Sequence, residues 1–192
     1  STLYDDYQGT IYFNGKDLKM LDIKQVRKKI AILFQDFMKY DLNVRENIGV
    51  GEIEKIKNDQ EVWKALEKTG MLNKIDNLDA QLGYLFDQSF QLSGGEWLNI
   101  ALSRVFIRDA DIYLIDEPDS ALDSLASQHI MNSFSRQTEE KIGIIVSHRI
   151  STIKNIANKI VVFNNGEIEM IGTHAELMES SQTYRDLYYG SL

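Results

Sequence analysis

The sequence predicts an α/β fold built on a parallel sheet, and two observations support this prediction. Residues 112–115 are four consecutive apolar residues, and they run directly into Asp116, Glu117 and the chain's single proline, Pro118. A short apolar run of this kind is typical of a strand buried on both faces of a parallel sheet, and the proline ends it. Strand-like and helix-like segments then alternate as far as residue 157, which is the rhythm of βαβ units.

Size and composition are those of an ordinary globular protein. The 192 residues are enough for one core with a helical insertion, and 43% of them are apolar. The net charge of −8 argues against a protein that coats nucleic acid, because such proteins need a basic surface. The sequence has no cysteine, which excludes disulfides and cysteine-based metal sites. Its longest apolar run, residues 30–34, is too short to span a bilayer.

The first part of the chain is predicted to place helices between strands of the sheet. Hydrophobic periodicity and turn residues predict a short strand at 9–15 closed by an Asn-Gly turn, a helix at 23–29, a strand at 30–34, and helices at 43–48, 59–69 and 93–107. Residues 77–91 are polar and loop-like. We therefore predict that residues 36–107 form a mostly helical insertion between two strands.

The second part of the chain is predicted to continue the sheet and then leave it. The expected elements are a strand at 112–116, a helix at 124–136, a strand at 142–147, a helix at 150–157, a hairpin of 159–164 and 167–172 joined by Asn165-Gly166, and a helical tail at 174–178 and 182–189. In open α/β sheets ligands bind at the carboxyl ends of the strands. Asp116 and Glu117 lie at such an end, so this pair is the first candidate site.

Residues 93–96 (Ser-Gly-Gly-Glu) have the S-x-x-E spacing of a capping box, which is a structural way to begin a helix. Capping does not explain the two glycines, because each costs roughly 1 kcal/mol relative to alanine in a helix. Glycine leaves bare N–H groups at the positive end of the helix, where a phosphate can approach. We expect Ser93, Gly94 and Gly95 to bind phosphate while Ser93 and Glu96 also cap the helix.

Three further polar residues have unremarkable interpretations when taken singly. Gln35 can be a polar strand terminus, Asp123 can be the N-cap of the next helix, and His148 can be an inert loop histidine. Their order along the chain gives them more weight. Together with the acidic pair and the glycine-rich helix start, they are expected on one edge of one sheet.

These motifs resemble the nucleotide-binding domain of an ATP-binding cassette (ABC) protein. Gln35 matches the Q-loop, and residues 92–96 match the LSGGQ signature with Glu96 in place of glutamine. Residues 112–117 match the Walker B strand with its glutamate. Residues 120–123 match the D-loop, and His148 matches the H-loop. The resemblance implies a P-loop NTPase (RecA-like) core at 1–35 and 108–192 and a helical subdomain at 36–107. Residues 33–37 and 44–48 are similar to exporters, and residues 81–97 to bacterial peptide and bacteriocin exporters.

One motif of this family is missing from the sequence. A P-loop ATPase needs G-x-x-x-x-G-K-[ST] to wrap the phosphates, and none occurs here. Gly15-Lys16 does not fit, because Asp17 stands where a hydroxyl is required; we predict a turn there. Ser1-Thr2 lie too close to the segment that follows to be the end of such a motif. The resemblance thus implies a fold that is incomplete at its N-terminus and a chain that binds ATP poorly and does not hydrolyse it by itself.

The resemblance also implies a role for each candidate residue with ATP and Mg²⁺ as cofactors. Asp116 and Gln35 would hold Mg²⁺, Glu117 would deprotonate the attacking water, and His148 would contact the γ-phosphate. Gln35 would also act in catalysis, by sensing Mg²⁺ and the attacking water and relaying that state to a membrane domain. Residues 93–96 would grip the nucleotide of a second, head-to-tail domain, and Asp123 would lie at that interface. Glu96 places a negative charge close to the phosphate unless its side chain turns back as a cap, and Asp119 is a second unusual acid beside the Walker B pair.

The family resemblance leaves three functions open. The first is the ATPase of a membrane exporter for peptides or small molecules, at the cytoplasmic face of the membrane and paired with transmembrane domains. The second is a soluble ABC-type ATPase that acts on nucleic acid or ribosomes, which the acidity and the lack of a basic stripe disfavour. The third is a degenerate cassette that binds without turnover, which the presence of Glu117 and His148 disfavours. We expect no nucleic-acid partner.

Overall fold

The computed structural model describes residues 7–84, 89–118, 122 and 124–190 of the chain. These ranges contain both strands and helices, which alternate from residue 94 to residue 164. In chain order they are β1 (Tyr12–Phe13), β2 (Lys16–Asp17), α1 (Ile23–Lys28), β3 (Ile30–Leu33), α2 (Val44–Gly49), α3 (Asp59–Lys68), α4 (Gly94–Phe106), β4 (Ile112–Asp116), α5 (Ser124–Gln137), β5 (Ile142–Val146), α6 (Ile150–Ile153), β6 (Ile160–Asn164), β7 (Glu167–Gly172), α7 (His174–Ser180) and α8 (Gln182–Gly190). The α/β class predicted from the sequence is confirmed.

A three-stranded parallel sheet in the order β3-β4-β5 forms the centre of the molecule. Tyr113 and Ile115 of β4 are buried and pack with residues of α4 and α5. The alternate residues Ile112 and Leu114 are only half-buried. The expectation of a strand buried on both faces is therefore wrong for the described part of the chain. Only one face of β4 is closed by α4 and α5, and side chains alternate between faces along a strand.

The helical segment between β3 and β4 has its own apolar cluster. Residues of α2, α3 and the loop that follows α3 pack together with Trp97, Ile100 and Ile107. Other residues of α4, such as Leu98 and Phe106, belong to the cluster under the sheet. Helix α4 thus contributes to both clusters. Because α4 belongs to both apolar clusters, the structure does not divide the chain at residue 107. The limits of the helical subdomain, predicted at residues 36 and 107, therefore stay a prediction.

Two short hairpins depend on Asn-Gly turns. Asn14 and Gly15 have φ values of 49° and 75°, and Asn165 and Gly166 have φ values of 49° and 83°. These left-handed conformations suit two-residue hairpin turns and are the reason for the Asn-Gly sequence. The strand expected at 9–15 is shorter, because the turn at Asn14-Gly15 folds residues 12–13 back onto 16–17. The predicted turn at Gly15-Lys16 begins as expected, and Lys16 already belongs to β2.

The C-terminal elements pack on the second hairpin and form a third small cluster. Ile160 and Val162 of β6 contact Leu177 of α7 and Tyr184 of α8. Helix α6 is shorter than the helix expected at 150–157. A helix long and apolar enough to cross a bilayer is absent from the part of the chain that the structure describes.

Strand β5 lies at the end of the sheet. It pairs with β4 on one side, and no strand among the described residues pairs with its other side. Ile142, Ile144 and Val146 are each about half exposed, at 56%, 48% and 55%. β5 is therefore an apolar edge strand, which is an unusual feature for a protein surface.

Candidate functional site

The acidic pair lies at the carboxyl end of β4, as predicted. Asp116 is the last residue of the strand and is in register with Val146 of β5. The Glu117 N–H donates to the Val146 carbonyl at 2.9 Å, so the backbone stays attached to the sheet for one residue more. Glu117 has φ of +43°, a left-handed conformation that a residue with a long side chain adopts at a cost of about 1 kcal/mol or more. The backbone here is held against its local preference.

The Glu117 carboxylate is approached from both neighbouring strands. Gln35, which follows β3, donates from Nε2 to Oε2 of Glu117 at 2.9 Å. His148, which follows β5, places Nδ1 3.6 Å from Oε1 of the same carboxylate. The three strands are parallel and in register, so their carboxyl ends lie at one edge and bring these three side chains together.

A cavity of about 240 Å³ opens beside this edge. Its walls include Gln35, Asp116, Glu117 and, from the start of α4, Gly94. Lys39 adds a basic side chain to the wall. His148 instead borders a second, wider hollow with residues of α8. Four of the predicted residues, Gln35, Asp116, Glu117 and Gly94, thus line one cavity. His148 lies beside it, close to the Glu117 carboxylate.

The start of α4 is a complete capping box, as the S-x-x-E spacing predicts. The Ser93 side chain accepts from the Glu96 N–H, and the Glu96 carboxylate accepts from the Ser93 N–H at 2.7 Å. A Cβ added at Gly94 would meet no atom within 4 Å, and one added at Gly95 would lie 3.3 Å from a Leu122 methyl. Packing therefore does not demand glycine at position 94.

Glu96 has a second partner that the sequence did not reveal. Nζ of Lys74, in the turn after α3, lies 2.9 Å from Oε1 of Glu96. The N–H of Ser93, and next the ammonium of Lys74, hold the pKa of Glu96 below its usual value. Of the two alternatives for Glu96, the structure has the side chain turned back as a cap and paired with a cation. Lys74 and Glu96 lie far apart in the sequence, so no local pattern connects them.

The remaining candidates are distributed as follows. Asp123, and with it most of the predicted D-loop and Asp119, lies outside the described residues. Within the described ranges no group of three or more acidic or histidine side chains could hold a metal alone. Mg²⁺ is usually bound by one or two carboxylates together with substrate phosphates and water. Asp116, with the amide oxygen of Gln35, fits that smaller requirement.

The fold and the site together define a class of protein. A parallel sheet carries an acidic pair at the end of its central strand, with an amide and an imidazole from the flanking strands beside it. Gly94, at the glycine-rich start of α4, borders the same cavity and has open space beside it. This is the arrangement of an α/β P-loop NTPase core.

Comparison with known proteins identifies the family. A model of the ABC transporter family matches residues 1–120. The chain is 41% identical over 189 residues to the subtilin transport ATP-binding protein SpaT of Bacillus subtilis, covering 96% of this chain and 31% of that protein. It is 39% identical over 193 residues to the nisin transport ATP-binding protein NisT of Lactococcus lactis subsp. lactis, covering 98% and 32%. The chain belongs to the ABC transporter family and has an exporter-type nucleotide-binding domain.

A solved structure supports the same assignment. A bacterial Atm1-family ABC exporter with ATP bound superposes with a TM-score of 0.83 and 25% sequence identity, over 96% of this chain and 32% of that one. The likeness confirms the P-loop NTPase fold predicted from the sequence. The chain spans about a third of the length of the curated relatives it matches.

Proposed function

We propose that this chain is the ATP-binding and ATP-hydrolysing part of a membrane exporter that transports a peptide. The observation that carries the proposal is the Glu117 carboxylate, bonded to Gln35 and close to His148 beside Asp116. This arrangement suits phosphoryl transfer to water, in which positioning and charge stabilisation provide most of the catalysis. Membership of the ABC transporter family supports the ATP substrate.

We assign the following roles at the edge of the sheet. Glu117 accepts a proton from the attacking water, and the hydrogen bond from Gln35 orients its carboxylate. His148 contacts the γ-phosphate from the side of β5. Asp116 and the amide oxygen of Gln35 would hold Mg²⁺, which would neutralise charge that develops on the phosphates. Each of these residues ends or follows a strand of the sheet, so their spacing is fixed by the backbone pairing.

The start of α4 has a different partner in this proposal. Ser93, Gly94 and Gly95 present a helix N-terminus with an unobstructed approach, which favours a phosphate. We propose that they bind the γ-phosphate of ATP held by a second domain, so that two domains enclose two nucleotides head to tail. Asp123 would lie at that interface. Glu96 contributes to this function by capping the helix.

The peptide cargo and the location rest on the relatives. SpaT and NisT are named for the transport of subtilin and nisin, and both align with nearly the whole chain. We therefore propose a peptide cargo, transmembrane domains as partners, and a position at the cytoplasmic face of the membrane. The acidic net charge of −8 gives no support to a nucleic-acid partner.

ATP turnover by the protein expressed from its complete gene tests the proposal. We expect hydrolysis that requires Mg²⁺, and Glu117→Gln should lower the turnover rate by about 100-fold or more, the factor that general-base catalysis contributes. The variant should still retain ATP. Glu140→Gln, which removes an exposed acid beyond α5, is the matched control. Turnover by Glu117→Gln at the rate of that control would exclude Glu117 as the base.

A further inference from the structure

The turn after α3 brings one lysine to the start of α4. The Lys74 and Ile75 N–H groups both donate to the Met71 carbonyl at 3.0 Å, which closes the turn. Met71 and Ile75 are buried in the apolar cluster that also contains Trp97, the residue after Glu96. Lys74 is thus anchored on both sides to the core that carries the first turn of α4.

The carboxylate of Glu96 is divided between two partners. One oxygen accepts from the Ser93 N–H at 2.7 Å, and the other lies 2.9 Å from the Lys74 ammonium. The Glu96 side chain is only 24% exposed, while that of Lys74 is 52% exposed. Without the lysine, the negative charge of the carboxylate would have no cationic partner within the first turn of a helix that is proposed to bind an anion.

The charge at this helix start determines whether an anion can approach it. A helix N-terminus attracts an anion through partial charges equivalent to about half an elementary charge, and these fade beyond the first turn. An unpaired carboxylate in that turn would more than cancel the attraction. The ammonium of Lys74 returns the pair to zero net charge and leaves the N–H groups beside Gly94 and Gly95 as the local field.

We propose that Lys74 is a positioning residue for nucleotide binding: it neutralises Glu96 and holds its carboxylate on the N-cap, so that the glycine-rich start of α4 can accept a phosphate. This inference rests on the proposed function and deepens it. Lys74 touches neither substrate nor cofactor in this assignment, and it acts only through Glu96.

The test compares the same lysine substitution in two backgrounds. Lys74→Met is made in the protein expressed from its complete gene, once with Glu96 present and once together with Glu96→Gln, and the KM for ATP is measured for each. With Glu96 present, we expect Lys74→Met to raise KM by about three- to fivefold, the factor that an exposed charge pair provides. In the Glu96→Gln background the same substitution should change KM less than about 1.5-fold, because no charge is left to neutralise.

Two controls separate this charge effect from a general one. Lys64→Met removes one positive charge from the exposed side of α3 in the same helical region, and it should leave KM unchanged. The effect of Lys74→Met relative to Lys64→Met should shrink at 1 M salt, where the screening length falls to about 3 Å. A role in packing the turn would persist in high salt and in both backgrounds.

Each result decides the inference. If Lys74→Met raises KM equally in both backgrounds, Lys74 does not act through Glu96. If it raises KM no more than Lys64→Met does, Lys74 has no role in nucleotide binding. Either result overturns the inference and leaves the proposed function standing. If the wild-type protein does not hydrolyse ATP at all, the proposed function and this inference fall together.

Discussion

The start of α4 and the end of β4 each present a carboxylate, and the two are held in opposite ways. Glu96 sits in a regular helix, completes a capping box and pairs with Lys74. Glu117 has a left-handed backbone, accepts a hydrogen bond from a neutral amide and lies near a histidine. The first arrangement satisfies the local preferences of the chain, and the second opposes them. A residue kept in a costly conformation by its surroundings is a candidate for chemistry, whereas a satisfied cap is first of all structural.

The largest expected effect comes from Glu117→Asn. Among the described residues, the other non-glycine positions with positive φ are Asn14 and Asn165, and asparagine tolerates this region better than most residues. We expect the free energy of unfolding to stay within about 1 kcal/mol of wild type, because relief of backbone strain offsets the lost hydrogen bond from Gln35. Turnover should fall by about 100-fold or more.

Urea unfolding and ATP hydrolysis, measured on the same preparation, check this prediction. A variant destabilised by several kcal/mol would show that Glu117 is required by the fold, and the contrast with Glu96 would then disappear.

The second-largest expected effect is the loss of stability when either of two capping boxes is removed. Thr173 and Glu176 begin α7 in the same way that Ser93 and Glu96 begin α4. Ser93→Ala and Thr173→Ala should each lower the free energy of unfolding by about 1 kcal/mol, the usual cost of a lost N-cap. Only Ser93→Ala should also weaken ATP binding, measured as a raised KM. An equal change in KM for both variants would reduce the start of α4 to a structural feature.

Gly94→Ala is expected to raise the stability of the fold while it lowers ATP turnover. The added methyl group would meet no atom within 4 Å, and alanine favours a helix over glycine by up to about 1 kcal/mol. Stability in urea should therefore rise slightly while ATP turnover falls, because the methyl group occupies the approach to the N–H groups. A rise in stability with unchanged turnover would contradict phosphate binding at this glycine.

The smallest expected effect is a change in the free energy of unfolding at low pH. The N–H of Ser93, followed by the ammonium of Lys74, lowers the pKa of Glu96 below the 4.5 of a free glutamate, so the folded state holds that proton less readily than the unfolded chain. The stabilisation is complete above about pH 4.5 and is lost as pH falls through the lower, folded-state pKa. Glu96→Gln should therefore reduce the loss of stability, measured by urea titration, as pH falls below about 4.5. An unchanged slope would show that Glu96 gains nothing from its partners.

Local patterns predicted most of the elements and part of the site. Three local patterns predict the structure found at their positions. The apolar run before Asp116 forms a strand, the S-x-x-E spacing at Ser93 forms a capping box, and the two Asn-Gly sequences form turns. The left-handed backbone of Glu117 could not be foreseen, because glycine or asparagine normally signals it. The contact between Lys74 and Glu96 depends on how the turn after α3 packs on α4, which no local pattern records.

Two of the three wrong predictions of secondary structure and burial have local causes. Residues 9–15 contain enough strand formers for one strand, and the Asn-Gly turn converts them into half of a hairpin. The alternation of β4 between buried and half-buried residues shows that an apolar run does not by itself fix how many faces are covered. The helix expected at 150–157 is confined to Ile150–Ile153, and nothing in the structure explains why it ends there.

The apolar edge of β5 has a practical consequence for handling the protein. Among the described residues no strand pairs with the outer side of β5, and Ile142, Ile144 and Val146 are each about half exposed. A strand with such an edge can recruit an extended segment from another molecule. Concentrated solutions of the 192-residue chain are therefore expected to aggregate with time. A lysine at position 144 would discourage such contacts between molecules without touching the residues around Glu117.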